Sequence, residues 1–312
     1  MTPPAAIPVF LASVALMLWA ASVFAHRLDL IGERLGMPET LLGLLTALAA
    51  DAPELSSAIT ALVSHESSVA VGVVVGSNAF NLAAMLGLSA VVAARVRARH
   101  EAFEIEAFAG LWFVGVCLAV VAGWIGGRVG IVLVALALVP YVFLLGRGEP
   151  PEHPRARAID VWRECRRLVL ALAVALALIV GGSIGAVRSA IDLGHAWSVC
   201  PAIVGVLVLA ILTSLPNAWT GVRFGVQGRG SALMSEAMNS NSINVVAGLA
   251  LPAALGSVGA FSGVDTFDLA WLLGMTVVAV VLFGRRAGGG RAAGAALIAL
   301  YVAFVAAQLA LR

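Results

Sequence analysis

The chain has no lysine: all 19 of its basic residues are arginine, and only 12% of its 312 residues are charged. So little charge excludes an ordinary solvated surface, and a formal net charge of +2 gives no reason to expect a nucleic-acid partner. Cysteine is scarce. Cys117, Cys165 and Cys200 are scattered without metal spacing, which argues against a disulfide framework and a thiolate metal site. His26, His65, His100, His153 and His195 form no cluster and lie mostly between apolar runs. The glycine stretch at 288–290 lacks the pattern of a phosphate loop. An intramembrane enzyme using Asp51 and Glu54 as paired acids has no nucleophile motif behind it, so the chain reads as a non-enzyme without a cofactor.

What is abundant is hydrocarbon. The chain is 61% hydrophobic and carries 33 Gly, the balance of a polytopic membrane protein whose surroundings are a lipid bilayer. About 20 apolar residues span the hydrocarbon core as a helix. Ten such runs lie near 5–25, 38–63, 67–94, 103–124, 128–146, 167–187, 199–224, 231–256, 265–283 and 292–311, predicting an all-α fold. The first run has no basic region before it and no convincing cleavage site after it, so it reads as a membrane helix rather than a signal peptide. With the N-terminus outside, 16 of the arginines fall in cytoplasmic connections, and only Arg128, Arg188 and Arg312 fall outside. That bias predicts both termini outside, with the 147–165 linker cytoplasmic, in a bacterial-type plasma membrane. Trp19, Trp124 and Trp197 read as interface anchors, and Arg223 as a snorkelling one.

The linker, rich in Pro, Arg and Glu, separates a five-helix unit at 1–146 from a second at 166–312. Because five is odd, the second unit enters the membrane from the opposite side, so the pair forms two inverted five-helix repeats. Two matched polar segments support the duplication. The first reads Ala-Asp-Ala-Pro-Glu at 50–54 and Gly-Ser-Asn-Ala-Phe-Asn at 76–81. The second reads Thr-Ser-Leu-Pro-Asn at 213–217 and Asn-Ser-Asn-Ser-Ile-Asn at 239–244. Pro53 to Ser77 and Pro216 to Ser240 are both 24 residues. Identities at this offset include Ala47/Ala210, Pro53/Pro216, Ser77/Ser240, Asn78/Asn241 and Asn81/Asn244.

Polar groups inside membrane-length runs are costly unless they line a pathway. Positions 50 and 54, 77 and 81, 213 and 217, and 240 and 244 share helix faces. Pro53 and Pro216 lack an N–H, so each is expected to open its helix and free backbone oxygens around Ala49 and Leu212. Opened carbonyls with Ser, Thr, Asn, Asp and Glu oxygens form a hard-oxygen cage suited to Na⁺ or Ca²⁺.

These segments resemble the α-repeats of the calcium/cation antiporter superfamily, the sodium/calcium exchangers. There each repeat typically reads Gly-Thr-Ser-Leu-Pro-Glu, followed by a Gly-Ser-Asn-x-Phe-Asn or Asp version. Here Gly-Ser-Asn-Ala-Phe-Asn is intact at 76–81 and Thr-Ser-Leu-Pro at 213–216, within α-motifs at 43–90 and 206–256. The ten-helix, N-out layout is similar to that family over nearly the whole chain. The resemblance implies a cation antiporter, with Glu54 the main acidic ligand and Ser77 and Asn81 facing it. It further implies ligands Thr213, Ser214, Ser240 and Asn244 from the second repeat, with backbone oxygens near Ala47 and Ala210.

Three positions depart from the family pattern. Asn217 replaces the second-repeat Glu, Ala50-Asp51 replaces a Thr-Ser pair, and Asn244 is neutral where many calcium transporters carry Asp. Asp51 restores a carboxylate beside Glu54, and Glu236 lies one turn before Ser240 on the same face. The expected site set is therefore Asp51, Glu54, Ser77, Asn81, Thr213, Ser214, Asn217, Glu236, Ser240 and Asn244. Two carboxylates close together in a low-dielectric site also suit proton-coupled exchange. The expected activity is exchange of Ca²⁺ or a related cation for Na⁺ or H⁺ by alternating access. The alternatives are a monovalent-cation/proton antiporter and a non-transporting sensor or scaffold with the exchanger fold. Ion pair, stoichiometry and oligomeric state stay open.

Overall fold

Apolar runs bounded by Gly, Pro and Arg become helical rods, because a backbone in hydrocarbon must satisfy its own hydrogen bonds. A computed structural model describes residues 3–35, 47–97, 100–146, 158–256, 261–285 and 287–311. In chain order, α1 is Pro3–Leu35, α2 is Ala52–Val63 and α3 is Ser67–Val92. Helix α4 is His100–Val121, α5 is Gly127–Gly146 and α6 is Ala158–Ala196. Helix α7 is Pro201–Val226, α8 covers 230–254, α9 is Gly263–Phe283 and α10 is Arg291–Leu311. The all-α expectation has one small exception, a two-residue antiparallel ladder that pairs Arg95 with Gly290 and Val96 with Gly289.

Among the described residues, seven helices (α1, α3, α4, α6, α7, α9 and α10) are long and apolar enough to cross a membrane. The expected span at 38–63 lies partly outside the described residues, which leave it the 12-residue α2. The span at 128–146 retains a shorter apolar stretch, Gly127–Phe143. The span at 231–256 falls short because α8 opens on Ser, Glu and Asn, side chains too polar for lipid. Burial accounts for that polarity. Helix α8 is buried along most of 237–245, and 89% of the apolar window of α3 is enclosed, against 28% for α1 and for α6. Helices α3 and α8, which carry the 76–81 and 239–244 segments, thus form the centre, with apolar rods outside them.

Small residues let the centre close. A Cβ on Gly76 would stand 2.7 Å from the Val206 carbonyl oxygen, and one on Gly205 would stand 2.5 Å from that of Val69. Helices α3 and α7 therefore touch backbone to backbone, the small-residue contact typical of membrane helix pairs. Replacing Gly205 by Val should lower the thermal midpoint of the detergent-solubilised protein, at a cost of about 1–3 kcal/mol from overpacking. An unchanged melting curve would show that the two helices have room to spare. The other tight pair is α1 on α6, where Gly182 faces Met17 and the Ser183 hydroxyl donates to the Met17 sulfur at 3.2 Å.

Both central helices widen at matching places. A π-helical segment, Leu82–Leu88, follows Asn81 in α3, and another, Val246–Ala250, follows Val245 in α8. A third, Val204–Leu209, precedes Ala210 in α7. Such segments recur at functional positions in helices because they loosen the regular hydrogen-bond ladder.

Candidate cation site

The polar motifs converge on one buried cluster. Asp51 sits in a turn between the helical residues 47–50 and α2, whose first turn holds Pro53 and Glu54. Proline suits that first turn because its missing N–H would lack a helical partner there anyway. The opening expected near Pro53 is reduced to the single turn residue Asp51, whose N–H still bonds the Ala47 oxygen at 2.9 Å and whose backbone oxygen accepts the Leu55 N–H at 3.0 Å. The one expected near Pro216 is absent, since α-helix runs unbroken from Ala210 to Val226 with Pro216 inside it. A membrane helix tolerates such a proline when nearby hydroxyls and local widening compensate. Here the widening lies upstream at Val204–Leu209, and the Thr213 hydroxyl bonds the Leu209 oxygen at 2.9 Å rather than the Leu212 oxygen that Pro216 leaves without its donor.

The second half reaches across to the two acids. Ser214 donates its hydroxyl to Glu54 Oε1 at 2.9 Å. The Asn217 amide donates to Asp51 Oδ1 at 2.9 Å and to Glu54 Oε1 at 3.3 Å, bridging the carboxylates. Ser240 donates to Asp51 Oδ1 at 2.6 Å, and Asn81 donates to the Ser240 oxygen at 3.1 Å. Asp51, Glu54, Asn81, Ser214, Asn217 and Ser240 thus form one network drawn from α2, α3, α7 and α8, and every one of them is buried.

The remaining expected residues are placed differently. Ser77 and Thr213 are buried, but their hydroxyls donate to their own helices, to Val74 and to Leu209 and Ala210. Asn244 is fully buried, and neither atom of its amide has a hydrogen-bond partner. Glu236 is half-buried rather than enclosed, an environment unlike that of Asp51 and Glu54. The Ala47 carbonyl accepts the Asp51 N–H at 2.9 Å and the Ala210 carbonyl accepts from Thr213, so both serve their own helices.

Asn78 and Asn241 were visible as a repeat identity but not as site residues. Each amide donates to the other residue's backbone oxygen, at 3.0 Å from Asn78 and 3.3 Å from Asn241. The pair is reciprocal across the offset of 163 residues.

The cluster is rich in oxygens that no donor satisfies. Asp51 Oδ2, Glu54 Oε2 and the side-chain oxygens of Asn78, Asn81, Asn217, Asn241 and Asn244 are buried without hydrogen-bond partners. Buried polar atoms are normally paired, because an unpaired one costs about 1–3 kcal/mol. A concentration of orphaned hard oxygens beside two carboxylates is a place for a cation. Among the described residues no group of three or more His, Cys, Asp or Glu side chains gathers. The unpaired oxygens of the cluster are all hard ligands, two of them carboxylate oxygens.

The family model for the sodium/calcium exchanger protein matches residues 5–146 and 167–310. The chain belongs to the sodium/calcium exchanger family. It is 25% identical over 255 residues to CaxA of Alkalimonas amylolytica, covering 76% of each chain. Its fold is similar to that of the sodium-calcium exchanger NCX_Mj, with TM-score 0.68, 18% identity, and coverage of 98% of this chain and 99% of that one. It is also similar to the H⁺/Ca²⁺ exchanger CAX, with TM-score 0.78, 13% identity, and coverage of 96% and 81%. Family membership and the seven apolar helices make this exchanger-family chain an integral membrane protein.

A second polar group escaped the sequence reading. Glu106, buried in α4, accepts a hydrogen bond from Ser235 of α8; Asn239 donates to the Ser235 oxygen at 3.2 Å, and Tyr141 of α5 donates to Asn239. The signal was available, since an acid inside a membrane-length run is a functional candidate by default.

Proposed function

We propose that the chain is a secondary active cation antiporter that binds Ca²⁺ or a related cation at the Asp51–Glu54 cluster and exchanges it for Na⁺ or H⁺ by alternating access. The observation that carries this reading is the set of buried, donor-free oxygens around two carboxylates drawn to one point from both sequence halves. Asp51, Glu54, Asn81, Ser214, Asn217, Ser240 and Asn244 are the ligands we assign. Ser77 and Thr213 supply hydroxyl oxygens from the adjoining turns, and half-buried Glu236 is a further candidate acid on the face of Ser240 and Asn244.

The halves at 1–146 and 166–312 are read as inverted five-helix repeats joined by 147–165, with both termini outside. The reciprocal Asn78–Asn241 pair and the matching π segments support that symmetry. In such a design the site stays near the midplane while the halves rock around it. No enzymatic role or resident cofactor is assigned.

Both counter-ions have a basis. The fold neighbours named above are a sodium-calcium exchanger and an H⁺/Ca²⁺ exchanger, and here two carboxylates share one dry site, a place for a proton when the metal leaves. Purified protein in lipid vesicles should take up labelled Ca²⁺ under an outward Na⁺ gradient, a pH gradient, or both. Uptake of Na⁺ or K⁺ against protons, with Ca²⁺ ignored, would favour the monovalent alternative. No gradient-driven flux with any ion would favour a scaffold.

A further inference from the structure

Glu106 is only 6% exposed in the second turn of α4, and its hydrogen-bond partner Ser235, like the Asn239 that donates to Ser235, is neutral. A carboxylate so placed is costly in a membrane helix unless its charge can be cancelled when required. We propose that Glu106 is a proton-binding carboxyl that couples pH on the α4-entry side of the protein to the Asp51–Glu54 cluster through α8. The proposal rests on the cation-exchange reading above and adds a second ionisable station to it.

The step is a simple transfer. A hydronium ion gives its proton to a Glu106 oxygen and leaves as water, so one O–H bond forms as another breaks. Hydrogen-bond direction then carries the change inward. As a carboxylate, Glu106 can only accept, and the Ser235 hydroxyl points at it. As a carboxylic acid it gains an O–H, and the Ser235 oxygen is the neighbouring acceptor. That oxygen already receives the Asn239 amide at 3.2 Å, and its two lone pairs can take both donors, but the Ser235 O–H must then turn away from Glu106 and re-aim within the Ser235–Asn239 pair. Asn239, held on its other side by Tyr141, immediately precedes Ser240. Ser240 in turn donates to Asp51 at 2.6 Å and accepts from Asn81 at 3.1 Å. A reversal at Glu106 is therefore felt one residue from a hydroxyl that holds the cluster.

The surroundings leave this role to Glu106. Tyr141 is the titratable group facing it from α5. Helix α8 presents Ser235 and Asn239, with half-buried Glu236 next in sequence. From α9, Arg285 lies just past the helix end, where it and Glu104 line a groove with Phe103 and Ala107. Asp265 and Asp268 are at the opposite end of α9, and Val246–Ala250 carries nothing titratable.

The test uses the full chain in vesicles, with labelled Ca²⁺ uptake measured under a fixed Na⁺ gradient across a range of pH. Each proton-binding station contributes a limb of at most about tenfold per pH unit, so Glu106 adds one of its own to any set by the Asp51–Glu54 cluster. Glu106→Gln should flatten that limb, Glu106→Asp should keep it, and Ser235→Ala should weaken it by cutting the link. A Glu106→Gln profile lowered by one factor at every pH, its shape intact, would mean a merely structural role and overturn the proposal.

A second readout does not depend on transport. The pH-difference infrared spectrum of wild type should contain a carboxyl band that Glu106→Gln removes and Ser235→Ala retains. An unchanged band in Glu106→Gln overturns the proposal even if wild type moves no cation. Absence of wild-type flux, by contrast, overturns the antiport reading.

Discussion

Glu54→Gln should reduce gradient-driven Ca²⁺ uptake by about a hundredfold or more while leaving the amount of folded protein in the membrane unchanged. Glutamine keeps the shape and the Oε1 acceptor that Ser214 and Asn217 use, so the loss is charge rather than packing. Glu54 is 1% exposed, and removing one partner of a buried charge pair costs about 3–5 kcal/mol. At roughly 1.4 kcal/mol per decade, that is about two to three and a half decades in cation affinity. Initial rates over a Ca²⁺ concentration series, normalised to reconstituted protein, read the effect. Wild-type uptake in the variant would remove Glu54 from the site and with it the main ligand.

That Glu54 belongs to a polar cluster was legible in the sequence, as was a mostly helical membrane fold, because both follow from hydrophobic length and an acid beside a proline. The contacts were harder. Spacing alone could place Asn217 near Glu54 but could not show its amide spanning Glu54 and Asp51 together, since that depends on how α2 and α7 meet. Ser77 and Thr213 share motif and burial with the network, yet their hydroxyls turn to their own helices, a short-range competition that spacing does not resolve. Proline removes a helical hydrogen bond, so a break is expected at Pro216, but the structure places the looser geometry a turn or more upstream at Val204–Leu209. Helix α8 shows the reverse failure. Its Asn and Ser content takes it below the apolarity expected of a membrane span because protein, not lipid, surrounds it.

The same bridging amide sets up the second large effect, Asp51→Ser, which should also impair uptake by about a hundredfold, because Asp51 is fully buried and accepts from both Ser240 and Asn217. Asn217→Glu alone should be harmful too. It replaces a donor to two carboxylates by a third carboxylate within hydrogen-bonding reach of both, and like charges repel strongly in a dry site. Combined, the two changes should partly cancel. The double variant again holds two carboxylates, now one from each half, with a hydroxyl at position 51 where an acid stood. Recovery of about tenfold over Asp51→Ser would be the non-additivity expected of residues in one network. The same vesicle assay, run on the two single variants and the double, completes the cycle. A double variant no faster than Asp51→Ser would sink the idea that Asp51 stands in for the acid missing at 217. Charge compensation would then have to come from α8, where half-buried Glu236 shares a face with Ser240 and Asn244.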